Sequence, residues 1–338
     1  MYKERGSGIL LFLRNLTTFS IWNKKMEETA RKQGEWYSKK TLRFARSHGA
    51  AAVYNGRIYL FGGGGNNFQS LNSVEIYDPR DDRWSLGKEM PSIRSGAMAV
   101  TLNNKIYVIG GGFKKPDGKF VFLKKVEIYD PYTNEWENGP DLIIPHDYPA
   151  IAVLNDNIYI IGGHHPNATE GGPKTDPGSN FCEMLDIGMG KWSEIAPLPT
   201  PRFGHSAIVL NGEIVTTGGV AFTSNGFNNF DIAEVYNIGA KAWRRELSLS
   251  LPWTAAAHAS SVLNGKIYIF GGYSGAEIHD RVACYDPSLK RWKELQPMDK
   301  PRAAMPAVVI DDTIYLIGGW EKDGRSVMNN VIAYLPPK

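Results

Sequence analysis

The 338-residue chain has only two cysteines, Cys182 and Cys284, too few for a disulfide framework. No C-x-x-C or C-x-x-H spacing accompanies them, which removes the usual structural zinc sites. Long apolar runs are also scarce. The run at residues 9–13 is broken by Arg14 and Asn15, whereas a membrane-spanning helix needs about 20 apolar residues. No small-x-small cleavage site follows it before the charged stretch 24–31, so it makes a poor export signal. Charge of one sign is missing too: 38 basic against 35 acidic side chains leave a net +3, too balanced for a dedicated nucleic-acid binder. The expectation is a cytoplasmic monomer with no nucleic-acid partner, no membrane association and no cofactor.

Glycine and large aromatics are abundant, with 36 Gly, 9 Trp and 16 Tyr, a composition suited to tight turns between packed strands. Self-similarity organises them. An apolar run ending in a glycine pair occurs six times, at 58–63 (IYLFGG), 106–111 (IYVIGG), 158–163 (IYIIGG), 214–219 (IVTTGG), 267–272 (IYIFGG) and 314–319 (IYLIGG). The mean period is about 51 residues. Sixteen residues before each first glycine stand Arg46, Arg94, His146, Arg202, Ala255 and Arg302. After the pair comes a Tyr-Asp-Pro-like segment, clearest at 74–79, 126–131 and 282–287, and seven residues beyond its Tyr position lie Trp84, Trp136, Trp192, Trp243 and Trp292. Each period therefore predicts four short strands, the second covered on both faces because it is apolar at consecutive positions.

Apolar strand, Gly-Gly, then spaced Tyr and Trp is a pattern that resembles the kelch-repeat family over residues 36–335. The resemblance implies an all-β, six-bladed β-propeller of four-stranded antiparallel blades, with repeats starting near 46, 94, 146, 202, 255 and 302. The sixth copy lacks a fourth strand, and the unmatched Trp36 stands ten residues before Arg46, the spacing that separates Trp84 from Arg94. An amino-terminal strand, 35–39, should thus complete the last blade and leave no open sheet edge. Residues 1–34 are expected to be a flexible leader and 35–338 the propeller.

Strand parity puts the loop between strands two and three on the same face as the entry to strand one. The interval from glycine pair to Tyr position is also the one that varies most, from 14 to 23 residues, and recognition usually resides in such loops. Arg46, Arg94, His146, Arg202 and Arg302 would there form a partial ring about the channel, able to hold the carboxylates of an acidic protein segment. The alternative is that they tie blades together through backbone carbonyls. In peptide-binding kelch domains such arginines often line the pocket, which favours the first reading. Phe113, His164, Trp253, Tyr273 and Trp320 complete the expected binding set.

Catalytic signatures fail one by one. The Gly-rich segments lack the Gly-Lys-Ser/Thr of a phosphate loop, and the 272–276 run (GYSGA) lacks the last glycine of a nucleophile elbow. His146, Asp147, His164 and His165 gather near one edge, yet their loop gives no ligand spacing that fixes a metal. The iron motif of plant specifier kelch proteins is off by one at His146, and Cys182 and Cys284, which the Tyr/His/Cys set of copper kelch oxidases would need, fall inside third strands, where buried packing is expected. The expected function is non-catalytic protein binding with no metal; the alternative is a kelch-propeller enzyme, such as a sialic-acid mutarotase or a metal-dependent one.

Overall fold

The computed structural model describes residues 34–169, 175–275, 277–321 and 326–337, so the expected leader lies outside the described residues except for Gly34. Among these residues six four-stranded antiparallel sheets follow one another along the chain. In blade one the strands are Ala50–Tyr54, Arg57–Phe61, Val74–Asp78 and Arg83–Leu86. First strands of the next five are Met98–Leu102, Ala150–Leu154, Ser206–Leu210, Ala259–Leu263 and Ala307–Ile310. Each begins four or five residues later than the landmarks suggested, because those residues sit in an irregular segment that leads into the strand. No helix among the described residues is long and apolar enough to cross a membrane.

The ring closes as the spacing requires. Glu35–Lys39 pairs antiparallel with Val331–Leu335, setting Trp36 opposite Tyr334. That register repeats around the molecule: Tyr77 faces Trp84, Tyr129 faces Trp136, Leu185 faces Trp192, Tyr236 faces Trp243 and Tyr285 faces Trp292. Most of these indoles also donate across to the link leaving the preceding blade, as Trp84 does to the Lys40 carbonyl at 2.8 Å and Trp136 to Lys88 at 2.9 Å. Among the described residues Trp292 has no such acceptor, and the link it would reach is the lengthened one, which carries a 3-10 turn at Leu247–Leu249.

The core lies between sheets. Tyr59, Phe61 and Val74 of blade one pack against Ala99, Ile106, Val108 and Tyr129 of blade two, and the pattern recurs at each neighbour. Second strands are almost wholly enclosed, with Ile58, Leu60 and Phe61 at 0–1% exposure; each such side chain contributes about 1.5–3 kcal/mol on burial. The glycine pairs permit this closeness. Gly62 and Gly318 hold positive φ, and a Cβ there would meet the carbonyl oxygen of Arg94 at 2.5 Å and that of Arg46 at 2.4 Å. The second glycine of each pair donates its N–H to the same carbonyl of the next blade, from Gly63 to Arg94 (2.9 Å) around to Gly319 to Arg46 (2.9 Å).

Candidate functional site at the channel mouth

The strand-one entries and the loops between strands two and three meet on one face. Short bridges join them: Ser47 with Gly64, Ser95 with Gly112, Phe203 with Val220, Ala256 with Tyr273 and Ala303 with Trp320. Four of these loops rise as hairpins, Gly112–Lys114 with Phe120–Phe122, Val220–Thr223 with Gly226–Asn229, Tyr273–Ser274 with Glu277–Ile278, and Trp320–Glu321 with Ser326–Val327. Blades one and three carry 3-10 turns instead, at Asn66–Phe68 and Pro166–Thr169.

A backbone belt rims the channel. The residue two past each Arg landmark adopts left-handed φ of 50–65°: His48, Gly96, Tyr148, Gly204, Ala257 and Ala304. Each donates its N–H to the carbonyl of its counterpart in the preceding blade, from His48 to Ala304 at 2.8 Å through to Ala304 to Ala257 at 2.8 Å. Left-handed backbone costs roughly 1–2 kcal/mol at a non-glycine residue, so four blades hold strain in this belt.

The belt lifts rings toward the open face. His48 makes edge contacts at 4.8 Å with both Tyr148 and Trp320; Trp320 lies 6.3 Å from Tyr273, and Tyr273 6.2 Å from Phe227. These five rings run across the mouth over blades three, one, six, five and four. The channel also holds a cavity of about 220 Å³ lined by the strand-one entries, His48 and Tyr148 included, and by the starts of the first strands. Beside the rings, His164 donates from Nδ1 to the Asp176 carboxylate at 2.5 Å, while its Nε2 is 3.9 Å from Asp147. The two carboxylates hold the His164 imidazole above its usual range despite the opposing cost of burial. Burial lifts Asp147 to about 6, with the negative Asp176 adding to the rise and His164 opposing it. Burial drops His48 to about 4.

The Attractin/LZTR1 β-propeller family profile matches residues 13–280. This chain is a member of that kelch-repeat propeller family. Human Kelch-like protein 23 is 28% identical over 81% of the chain and 46% of its own length, and zebrafish Kelch-like protein 15 is 28% identical over 60% and 35%. The chain thus spans between about a third and a half of the length of these relatives. Among solved structures, that titled "Structure of YjhT" superposes with a TM-score of 0.72 at 16% identity, covering 87% of this chain and 95% of that one; the likeness is one of fold.

Within the propeller the expected cation ring is not a ring of open side chains. Arg46, Arg94, His146, Arg202 and Arg302 are 0–1% exposed and point into their own blades. Arg46 and Arg94 donate to the carbonyls of Gly62 (2.6 Å) and Gly110 (2.9 Å), and His146 Nδ1 to Gly162 (2.7 Å). Arg46 pairs with Glu75, Arg94 with Glu127 at 2.8 Å, His146 with Glu183 at 3.1 Å and Arg202 with Glu234 at 2.5 Å. For the first four the physical reason is that a buried cation needs acceptors close by, and the third-strand glutamates supply them. Trp253 is also interior, 8% exposed beneath the Arg281 guanidinium at 4.3 Å.

Tyr273, Trp320, Phe113 and His164 do reach the open face, each partly exposed. The spacing argument missed Asp176, Tyr148 and the lysines of the blade-two hairpin, where Lys114, Lys115 and Lys119 are exposed around Phe120. Five lysines between residues 114 and 125 were the available signal. Among the described residues no group of three or more His, Cys, Asp or Glu side chains is placed to hold a metal ion, and His164 is engaged as an ion-pair partner.

Proposed function

We propose that this propeller is a protein-interaction module whose partner lays an acidic segment across the channel mouth. The observation that carries the reading is the five-ring aromatic array from Tyr148 to Phe227, partly exposed on a face whose belt is held by backbone hydrogen bonds. Rigid aromatics supply contact area at low entropic cost, and hot spots concentrate on such groups. Beside them, Lys114, Lys115 and Lys119 make the blade-two hairpin a cationic wall, the role first expected of the buried arginines. Burial of those arginines also counts against the sialic-acid mutarotase alternative, which relied on an arginine-lined face for its substrate's carboxylate.

A displayed peptide library selected on the purified chain tests this. Acidic sequences should be enriched, and their affinity should fall at least tenfold with Trp320→Ala or with Lys114, Lys115 and Lys119 all changed to Glu. Tyr132→Ala, a 91% exposed residue in a turn on the opposite face, should leave affinity unchanged. Selection of no peptide, or equal binding by all variants, would overturn the reading.

A further inference from the structure

The blade-three side of the mouth opens into a second cavity of about 200 Å³, lined by Ser47, His48, Asp147, Tyr148, His164 and Trp320 among others. Its size is below that of cavities for drug-sized ligands, which begin near 300 Å³, and suits one side-chain head group. The Asp147 carboxylate forms part of its wall. Among the described residues no group pairs with it apart from the 3.9 Å approach to His164, although its side chain is only 15% exposed. It lies against glycine backbone: a Cβ on Gly96 would meet its Oδ1 at 2.3 Å and one on Gly112 at 3.5 Å. His164 is already committed to Asp176 at 2.5 Å and is stacked on Phe203 at 3.9 Å. The cluster sets two carboxylates against one imidazole, so acidic groups outnumber basic ones in it.

Rings surround the Asp147 carboxylate. Trp320 and Tyr148 converge on His48 at 4.8 Å each, and Phe120 of the blade-two hairpin completes the wall. A part-buried carboxylate beside indole and phenol rings is suited to a cation, which gains both the ion pair and attraction to the ring faces. Guanidinium suits it better than ammonium, being planar, weakly hydrated and able to grip a carboxylate with two parallel N–H donors. We propose that this pocket takes an arginine side chain of the partner segment, inserted against Asp147 beside the rings of Trp320, His48 and Tyr148. The proposal rests on the partner reading above and sharpens it. The recognised segment carries acidic residues over the lysine hairpin and one arginine a short distance away.

Titration calorimetry with N-acetyl-arginine amide as the probe separates this from general stickiness. Binding should be saturable and at least tenfold weaker for the neutral isostere N-acetyl-citrulline amide. Asp147→Asn should weaken it tenfold or more while leaving the melting temperature unchanged or raised, since it removes an unpaired buried charge. Trp320→Leu, which leaves Asp147 intact, should weaken it several-fold and keeps the test decisive if Asp147→Asn fails to fold. Equal binding of the citrulline probe, or of the lysine analogue, would overturn the guanidinium assignment. Selected peptides that bind the face but tolerate arginine-to-citrulline exchange would sink the pocket and spare the partner reading. Arginine uptake that depends on Asp147, with no peptide selected, would do the reverse.

Discussion

Blades one to four and blades five and six solve the same interior differently. In the first four, a buried cation at the strand-one entry meets a buried glutamate on the third strand of its own sheet, from Arg46 with Glu75 to Arg202 with Glu234. Blade five has Ala255 and Ala283 at those two positions, and Trp253 joins them in one apolar cluster with Leu249, Leu251 and Ile269. Blade six keeps Arg302 but has Ile332 where the glutamate would be. All six sheets nonetheless have four strands and set the tryptophan in the same register, opposite Tyr in five blades and Leu185 in blade three. The polar bracket is therefore not what makes a blade. Present as a pair it is neutralised, and absent as a pair it is replaced by packing; only half of it leaves a buried charge without a buried partner.

The sharpest way to break this comparison is to create the half-bracket deliberately. Glu127→Ala leaves Arg94, 0% exposed, without its carboxylate. Stability should fall by about 3–5 kcal/mol in urea denaturation. Arg94→Met combined with Glu127→Leu, a blade-five solution at similar volume, should recover most of that loss. A double variant as unstable as the single one would mean that the bracket carries the blade after all.

The same comparison shows what could be read from the residues alone. Six registered glycine pairs and the ten-residue spacing of Trp36 to Arg46 were enough for blade number and closure, because propeller strands recur at fixed phase. Spacing places a residue along the chain but not its side chain in space, and so the arginines were expected on the channel wall. The missing clue was present: Glu75, Glu127, Glu183 and Glu234 stand two residues before the Tyr position in the four blades whose entry carries a cation and a glutamate partner, while Ala283 accompanies Ala255. The belt was harder to see. Only Gly96 and Gly204 advertise left-handed backbone, whereas His48, Tyr148, Ala257 and Ala304 adopt it because neighbouring blades hold them there. Asp176 joins His164 across twelve residues of inserted loop, a pairing that no period could reveal.

A second contrast concerns titration. Blade five buries His258, 7% exposed, where blade one has Gly49 and blade two Ala97. Burial lowers this imidazole from 6.5 to about 4. Between those values the unfolded chain binds the proton more readily, so stability from this group is fully present above pH 6.5 and is lost as pH falls toward 4. The loss amounts to about 3 kcal/mol. Asp147, raised to about 6, works in the opposite direction over pH 6 to 4. Melting temperature followed from pH 7 to 4.5 should therefore drop, and His258→Gln should flatten the slope. An unchanged slope would assign the acid sensitivity to other groups.

The smallest expected effect tests the odd blade itself. Arg302 reaches the Gly318 carbonyl at a long 3.4 Å, and its Nε and Nη2 have no hydrogen-bond partner among the described residues. Its nearest carboxylate, Asp299 at 3.7 Å, is 61% exposed, where screening by water leaves an ion pair little strength. Burial accordingly lowers the guanidinium to about 10. Replacing it by methionine keeps most of the stem volume and removes the uncompensated charge, but leaves the Gly318 carbonyl without that donor. The first effect favours the variant and the second opposes it, so Arg302→Met should hold or raise stability by about 1 kcal/mol. In the same urea assay Arg94→Met alone should destabilise, because it strands Glu127. If Arg302→Met instead costs as much as Glu127→Ala, the arginine acts through its stem and its carbonyl contact, and charge pairing ceases to explain the difference between the blades.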